Sequence, residues 1–238
     1  MFPYGTQLLS RNPRLALFGE APIYFERAQD AHFWDVDGNE FIDCGMGLQP
    51  ATLGYCYEPV DQAVKAQVDK GVLGTINNAV ELKMAPAICD LVPCGEMVKF
   101  CKSGAGADAI AVRLAGGDTG KIVVLFCGYH DWYLAANLES TSTFDEHLRP
   151  GIFPQGVPAA LAGTAVPFEY NNLDLLRYAL AKNDGEVACI VMEAVRYKDP
   201  EQVFLAGVRQ LADEYGCLLI FDEISTGFRM AAGGAQEY

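Results

Sequence analysis

Apolar residues near the start of the chain occur in short stretches that alternate with polar ones. This pattern predicts two extended segments, at 21–25 and 31–34, and a returning strand at 41–43. The acidic turn at 35–40 contains Gly and Asn, which tolerate the positive φ that hairpin turns require. Because its acidic residues lack the ligand spacing of a calcium-binding loop, we expect a small antiparallel element without a metal.

From residue 58 onward the apolar pattern alternates between two periods. Apolar residues at helical spacing predict helices over 58–70, 80–91, 107–115, 173–182 and 201–215. Short, nearly continuous apolar runs predict strands over 121–127, 187–192 and 217–221. Strands of this kind that alternate with helices predict an α/β fold with a mostly parallel sheet. The Pro-, Gly- and Thr-rich stretch 140–167 is predicted to be a long loop.

The charge of the chain narrows the choice of partners. The formal net charge is −14 and only 17 of the 238 residues are Lys or Arg. Nucleic acids and anionic membrane surfaces are held by clustered basic residues, so neither is expected as a partner. The sequence also has no run of about 18 apolar residues and no apolar leader segment, so we expect a cytoplasmic protein.

The chain has eight cysteines, most of which lie in apolar runs. They form neither a C-x-x-C pair nor a Cys/His spacing typical of zinc ligands. Free cysteine is among the most frequently buried residues. We therefore expect buried, reduced thiols and no metal site.

Asp222 directly follows the predicted strand 217–221. Ligands of open parallel sheets bind beyond the carboxyl ends of the strands. A carboxylate at the end of so apolar a strand stays ionised only beside a cation or several hydrogen-bond donors. The protonated pyridine nitrogen of pyridoxal 5′-phosphate (PLP) is one such cation. The alternative is that Asp222 or Ser225 caps the turn that follows.

Three further segments lie where a ligand of the sheet would bind. Small residues at 102–107 lead into a predicted helix. Such a turn offers free N–H groups and the positive end of the helix dipole to a phosphate. The alternative is an ordinary glycine-rich connection, which has the same composition. Tyr129 follows a strand and can stack on a flat ring, or form a structural pair with His130. Glu193 ends the strand 187–192, where a salt bridge with Arg196 or Arg229 is the alternative to a role in binding.

Taken together, these segments resemble the motifs of class III aminotransferases. The string FDEISTGFR at 221–229 is similar to the D-E-V-x-T-G-F-R segment of that family, and the residues leading up to 107 resemble its F-x-K-S-G-[ST]-[ED]-A phosphate cup. The residues at 127–131 resemble G-x-Y-H-G, and those at 192–194 resemble M-E-P. The chain is identified as similar to the glutamate-1-semialdehyde aminomutase-like branch. It departs from the family pattern at Ala105, Gly106, Asp131 and Ala194.

The resemblance implies a fold-type I PLP-dependent transferase with PLP as the cofactor. It further implies a small-molecule amino, keto or aldehyde substrate and a homodimer. The implied cofactor-binding residues are Ser103, Gly104 and Ala105 for the phosphate, Tyr129 with His130 and Ile224 for the two ring faces, Asp222 for the ring nitrogen, and Glu193 near the cofactor.

The resemblance also implies a division of the chain into domains. Residues 1–55 would contribute to a small domain and 56–238 would form an incomplete PLP-binding large domain, with the C-terminal domain absent. The lysine that forms a Schiff base with PLP would lie beyond Tyr238. We therefore expect a fragment that belongs to an amino-group-transferring enzyme and is inactive alone, so its own status as an enzyme is open. The alternatives are a non-catalytic PLP-binding or interaction remnant, and an aminotransferase for keto or aldehyde sugars when complete.

Overall fold

The computed structural model describes residues 5–7, 11–12, 21–128, 135–136, 138 and 154–238. The chain forms two compact units, Met1–Glu81 and Leu82–Tyr238. The assignment of residues 1–55 and 56–238 to the domains of a complete enzyme stays a prediction. None of the described helices combines the length and apolar character needed to span a bilayer.

The first unit contains the antiparallel element. Its strands are β1 (Phe25–Gln29), β2 (His32–Asp35) and β3 (Glu40–Ile42), paired in the order β1-β2-β3. The predicted turn at 35–40 is confirmed, but the first strand was placed four residues too early. The register of β1 is set by pairing with β2, which outweighs the polar character of its residues.

The hairpin turn is held by a single carboxylate. Asp35 accepts hydrogen bonds from the backbone N–H groups of Asp37 and Asn39 at 3.0 and 2.8 Å. Its other oxygen accepts from the side-chain amide of Asn39 at 2.9 Å. Gly38 has a φ of +85°, which a residue with a side chain rarely adopts. The turn therefore needs both the carboxylate and the glycine.

Helices and a four-stranded sheet follow. Helix α1 spans Glu58–Val68 and α2 spans Ala79–Leu91. The second unit then contains, in chain order, α3 (Gly104–Thr119), β4 (Val123–Cys127), β5 (Ala165–Pro167), α4 (Leu173–Lys182), β6 (Val187–Met192), α5 (Phe204–Glu214) and β7 (Leu218–Phe221). The sheet has the order β5-β4-β6-β7 and all of its pairs are parallel. The predicted α/β fold with a mostly parallel sheet is confirmed.

The parallel sheet is covered on both faces. On one face, Leu125 and Ile190 pack in a cluster with Leu176 of α4 and Val208 of α5. On the other face, Phe126 and its neighbours form a second cluster with residues of α3. Every residue of β4 and β6 is buried, as expected for central strands of a parallel sheet. The core of the described chain therefore lies around these two strands.

Three sequence-based expectations need correction. The segment predicted as a loop contains β5, a three-residue edge strand that pairs with β4. Helix α3 begins at Gly104, three residues before the predicted start, because Ser103 caps it. All eight cysteines are free thiols, but Cys44, Cys56, Cys94 and Cys101 are exposed and only Cys127, Cys189 and Cys217 are buried, because the exposed ones lie in turns and loops.

Candidate functional site

Three strand ends meet at the carboxyl edge of the parallel sheet. In the register of the sheet, Cys127 of β4 lies opposite Met192 of β6, which in turn lies opposite Phe221 of β7. The next residue of each strand is Gly128, Glu193 and Asp222, respectively. A Cβ atom added to Gly128 would lie 3.5 Å from Oε1 of Glu193. Two carboxylates and a glycine are thus neighbours at this edge.

Asp222 is the most deeply buried of the predicted site residues in the described chain, with 6% of its surface exposed. Its backbone N–H donates to the carbonyl of Met192 at 2.8 Å, and its Oδ1 accepts from the N–H of Ile224 at 2.9 Å. Asp222 therefore does cap the following turn, as the alternative interpretation proposed. That bond occupies one of its two oxygens.

Burial raises the pKa of Asp222, and the negative charge of Glu223 raises it further, against the lowering effect of the hydrogen bond from Ile224. Among the residues that the structure describes, no lysine or arginine contributes to this shift. A buried carboxylate is stabilised in its charged form by a cation or by several donors. Asp222 is thus a carboxylate that a cationic ligand group would favour.

Glu193 lies beside a partly buried arginine. Nε of Arg196 lies 3.6 Å from Oε2 of Glu193, beyond hydrogen-bond distance, and Nη1 of Arg196 donates to Sγ of Cys127 at 3.2 Å. Burial raises the pKa of the Cys127 thiol to about 11, so the thiol is neutral. Burial also raises the pKa of Glu193, which Arg196 opposes and Asp222 reinforces. The charge of Asp222 therefore acts on Glu193 at this edge of the sheet.

Of the two arginines considered as partners of Glu193, Arg196 is the one nearby. Arg229 instead donates from Nη1 to the carbonyls of Ile224 and Gly227, both at 3.1 Å. The residue after Glu193 is also fixed, because the hydroxyl of Tyr170 donates to the carbonyl of Ala194 at 2.7 Å.

The start of helix α3 has the geometry expected of an anion site. Ser103 is the N-cap, with φ −150° and ψ 156°, and its Oγ accepts from the N–H of Gly106 at 3.1 Å. The first N–H groups of a helix have no acceptor within the helix and lie at the positive end of its dipole. The predicted phosphate-binding residues Ser103, Gly104 and Ala105 therefore stand at the one end of α3 that favours negative charge.

Gly104 connects this helix start with the loop after β7. A Cβ atom built on Gly104 would lie 2.3 Å from Cδ1 of Ile224, so a larger residue would displace that side chain. Ile224 is 49% exposed, so part of its apolar surface is accessible beside the edge of the sheet that carries Glu193 and Asp222. The absence of a side chain at position 104 thus allows Ile224 to lie against the start of α3.

These contacts bring together most of the residues predicted from sequence. Gly104 contacts Ile224, whose N–H donates to Asp222, and the negative charge of Asp222 raises the pKa of Glu193. Tyr129 and His130 lie outside the described residues. The sequence did not predict the bond from Arg196 to Cys127, nor the bonds that Glu223 accepts from the N–H groups of Ala235 and Gln236. The first could not be found because the two residues are far apart in sequence.

Comparison with known proteins links this arrangement to one family. The profile described as aminotransferase class-III matches residues 18–235. Curated relatives include a glutamate-1-semialdehyde 2,1-aminomutase of Methanococcus maripaludis, 35% identical over 95% of this chain and 54% of the relative. Another, of Citrifermentans bemidjiense, is 37% identical over 92% of this chain and 52% of the relative. The chain spans about half the length of the curated relatives it matches.

Solved structures share the fold. A transaminase with PLP bound superposes with a TM-score of 0.81 at 23% identity, covering 92% of this chain and 52% of the other. A glutamate-1-semialdehyde aminomutase from Pseudomonas aeruginosa superposes with a TM-score of 0.70 at 27% identity, covering 85% of this chain and 45% of the other.

Proposed function

The chain belongs to the class-III aminotransferase family, and we propose that it forms the PLP-binding part of an enzyme that transfers amino groups. Its fold is that of PLP-dependent transaminases, a mostly parallel sheet accompanied by a small antiparallel one. The predicted fold-type I class is therefore confirmed. The observation that carries the proposed function is the buried carboxylate of Asp222, which has no basic partner among the described residues and stands at the end of a parallel strand.

The residues present fit PLP at both of its charged ends. Asp222 would hold a proton on the pyridine nitrogen, because a carboxylate of raised pKa gains from a cationic neighbour. Ser103, Gly104 and Ala105 would bind the phosphate through the start of α3. The replacement of a hydroxyl residue by Ala105 leaves this cup with fewer side-chain donors. We expect backbone N–H groups to make most of the phosphate contacts.

The remaining residues would orient the ring and exclude water. Ile224 would cover one face of the ring, and Tyr129 with His130 would cover the other. Glu193 would lie near the cofactor with its charge moderated by Arg196. PLP, when bound, supplies an electron sink for reactions at the carbon that carries the amino group.

The relatives support a substrate class. Glutamate-1-semialdehyde 2,1-aminomutases are similar along most of this chain, which supports a small amino compound with an aldehyde or keto partner as substrate.

The proposal includes a homodimer in the cytoplasm and a Schiff-base lysine in sequence beyond Tyr238. The intact mass of the protein from its natural source tests the last point. A mass well above the 25.8 kDa of this chain supports amino transfer, whereas 25.8 kDa supports a cofactor-binding remnant instead.

The binding proposal is tested by titrating the purified protein with PLP and comparing it with the variant Asp222→Asn. Loss of a charge-assisted hydrogen bond to a buried group corresponds to roughly a 10- to 100-fold weaker affinity. Asp184→Asn serves as the control, since Asp184 is exposed and precedes β6, at the opposite end of that strand from Glu193. Saturable binding that Asp222→Asn weakens and Asp184→Asn preserves is the expected result. Equal affinities for all three proteins would contradict the role of Asp222.

A further inference from the structure

Glu223 stands between two residues of the proposed cofactor site but contacts a different part of the chain. Its neighbours are Asp222 and Ile224, which are proposed to meet the ring nitrogen and one ring face. The carboxylate of Glu223 instead reaches the turn at 233–236, near the end of the described chain. The family motif gives no physical reason for an acid at this position, so its contacts are informative.

The turn at 233–236 is shaped around this carboxylate. Oε2 of Glu223 accepts from the N–H of Ala235 at 3.0 Å, and Oε1 accepts from the N–H of Gln236 at 2.8 Å. The hydroxyl of Thr226 donates to Oε2 as well. Gly234 has a φ of +100°, and a Cβ atom there would lie 2.6 Å from Oε1 of Glu223. Hydrogen bonds from several N–H groups to one carboxylate are among the stronger ones in proteins.

The turn is itself anchored to the loop after β6, which begins with Glu193. Ala235 is fully buried and packs in one cluster with Ala194 and Val195, the two residues that follow Glu193. The side-chain carbonyl of Gln236 also accepts from the N–H of Cys94 at 3.3 Å. Glu223 therefore joins the loop after β7 to the loop after β6 through the turn at 233–236.

We propose that Glu223 is a positioning residue that orients the carboxylate of Asp222 toward the ring nitrogen of the bound cofactor, an inference that rests on the proposed function. Asp222 is fixed on one side by the bond between its N–H and Met192 in the sheet. On the other side, the chain continues into Glu223, whose bonds to Ala235 and Gln236 fix the direction in which the backbone leaves β7. Without them the turn from Asp222 to Ile224 has only local hydrogen bonds to hold it.

This role predicts an effect that depends on one atom of the ligand. PLP and its analogue with the ring nitrogen replaced by C–H carry the same phosphate and the same aldehyde. Asp222 can distinguish them, because only PLP offers it a protonated nitrogen. A charge-assisted hydrogen bond of this kind corresponds to about tenfold or more in affinity. The ratio of the two dissociation constants therefore reports the orientation of Asp222 and is insensitive to the phosphate site.

The experiment measures that ratio for the whole protein and for two variants of Glu223. We expect the wild type to prefer PLP by about tenfold or more and Glu223→Ala to lose most of this preference, with its affinity for the analogue unchanged. Glu223→Gln keeps one carbonyl acceptor for the turn and should show an intermediate ratio. Circular dichroism of each variant confirms that it is folded, and the analogue's retained binding is a second check on folding.

Glu237→Ala is the matched control. Glu237 is exposed and accepts from the N–H of Gly233 at 2.5 Å, so the variant removes a carboxylate from the same turn while every hydrogen bond of Glu223 keeps its partner. It should keep the preference for PLP. The inference is overturned if Glu223→Ala keeps the wild-type ratio, if it weakens both ligands equally, or if Glu237→Ala loses the ratio to the same extent. A wild type that binds neither compound contradicts the proposed function itself.

Discussion

The two compact units of the chain are ordered by different forces. In Leu82–Tyr238, apolar side chains from both faces of the parallel sheet are buried in continuous clusters. In the described part of Met1–Glu81, the only buried residues are the polar Asn12 and Asp35. Strand pairing and carboxylates that accept backbone hydrogen bonds order it instead. The second unit should therefore respond most to loss of side-chain volume, and the first to loss of an acceptor or a charge.

The segment after β3 shows how far the first unit depends on polar contacts. Met46, Leu48 and Gln49 all have positive φ, at 48°, 69° and 80°. The left-handed conformation costs roughly 1–2 kcal/mol for each residue other than glycine. Asp43 opposes this cost by accepting from the N–H groups at 45–47 at 2.8 to 3.3 Å and from the hydroxyl of Tyr55. A strained turn is thus held in place by one carboxylate.

The largest effect is expected from a cavity in the second unit. Phe204 begins α5, is 1% exposed, and packs edge-on against Tyr170 with ring centroids 4.9 Å apart. Phe204→Ala should reduce the free energy of unfolding by about 3–5 kcal/mol. Urea denaturation followed by circular dichroism measures this change. The neighbouring Val203 is 66% exposed, so Val203→Ala is the control and should change stability little. Similar losses in both variants would show that Phe204 is not part of the core.

A smaller and more local effect is expected in the first unit. Asp43→Asn leaves the N–H groups at 45–47 without a charged acceptor, which we expect to cost about 1–3 kcal/mol. Hydrogen exchange of peptides covering 43–56 should accelerate, while exchange in 187–192 stays unchanged. Asp37→Asn, at an exposed site in the hairpin turn, is the control. Faster exchange in both regions would mean that the two units are not stabilised separately.

How much of the fold could be predicted from sequence depends on whether an element has its own apolar pattern or is set by a pairing partner. The limits of α4 and β6 were predicted to the residue, since a helix with one apolar face and a strand buried on both sides have clear patterns. The three-residue β5 was missed because it contains a proline and forms only where β4 offers an edge. The position of β1 depended on pairing with β2, which local composition does not encode.

In the site, the positions of residues at strand ends could be predicted from sequence, but contacts between distant residues could not. Asp222 and Glu193 could be placed because residues at the carboxyl ends of neighbouring parallel strands must lie side by side. The contact between Gly104 and Ile224 joins residues more than one hundred positions apart, and the family motifs named both without saying that they touch. The partners of Glu223 were also beyond sequence reasoning, since backbone N–H groups carry no sequence signal.

The smallest effect concerns pH, and the two units should respond to acid in opposite directions. Hydrogen bonds from Asn39 and Tyr55 lower the pKa of Asp35 and Asp43, respectively, below the ordinary value of 3.8. Each carboxylate therefore stabilises the fold above that value, and its contribution is lost as the pH falls through the lowered pKa. Both lie close to water, so the loss should be modest.

In the second unit the sign is reversed. Burial raises the pKa of Glu193 above 4.5 and that of Asp222 above 3.8, so the folded state disfavours their charged forms. Protonation as the pH falls through these raised values relieves that penalty until the ordinary values are reached. In the absence of cofactor, acidification from neutral pH should first stabilise the carboxyl edge of the sheet, and only below about 4 weaken the first unit. Hydrogen exchange at 187–192 and 43–56, corrected for the intrinsic rate at each pH, measures both trends. Parallel weakening of the two segments from neutral pH downward would contradict a division between an apolar unit and a polar one.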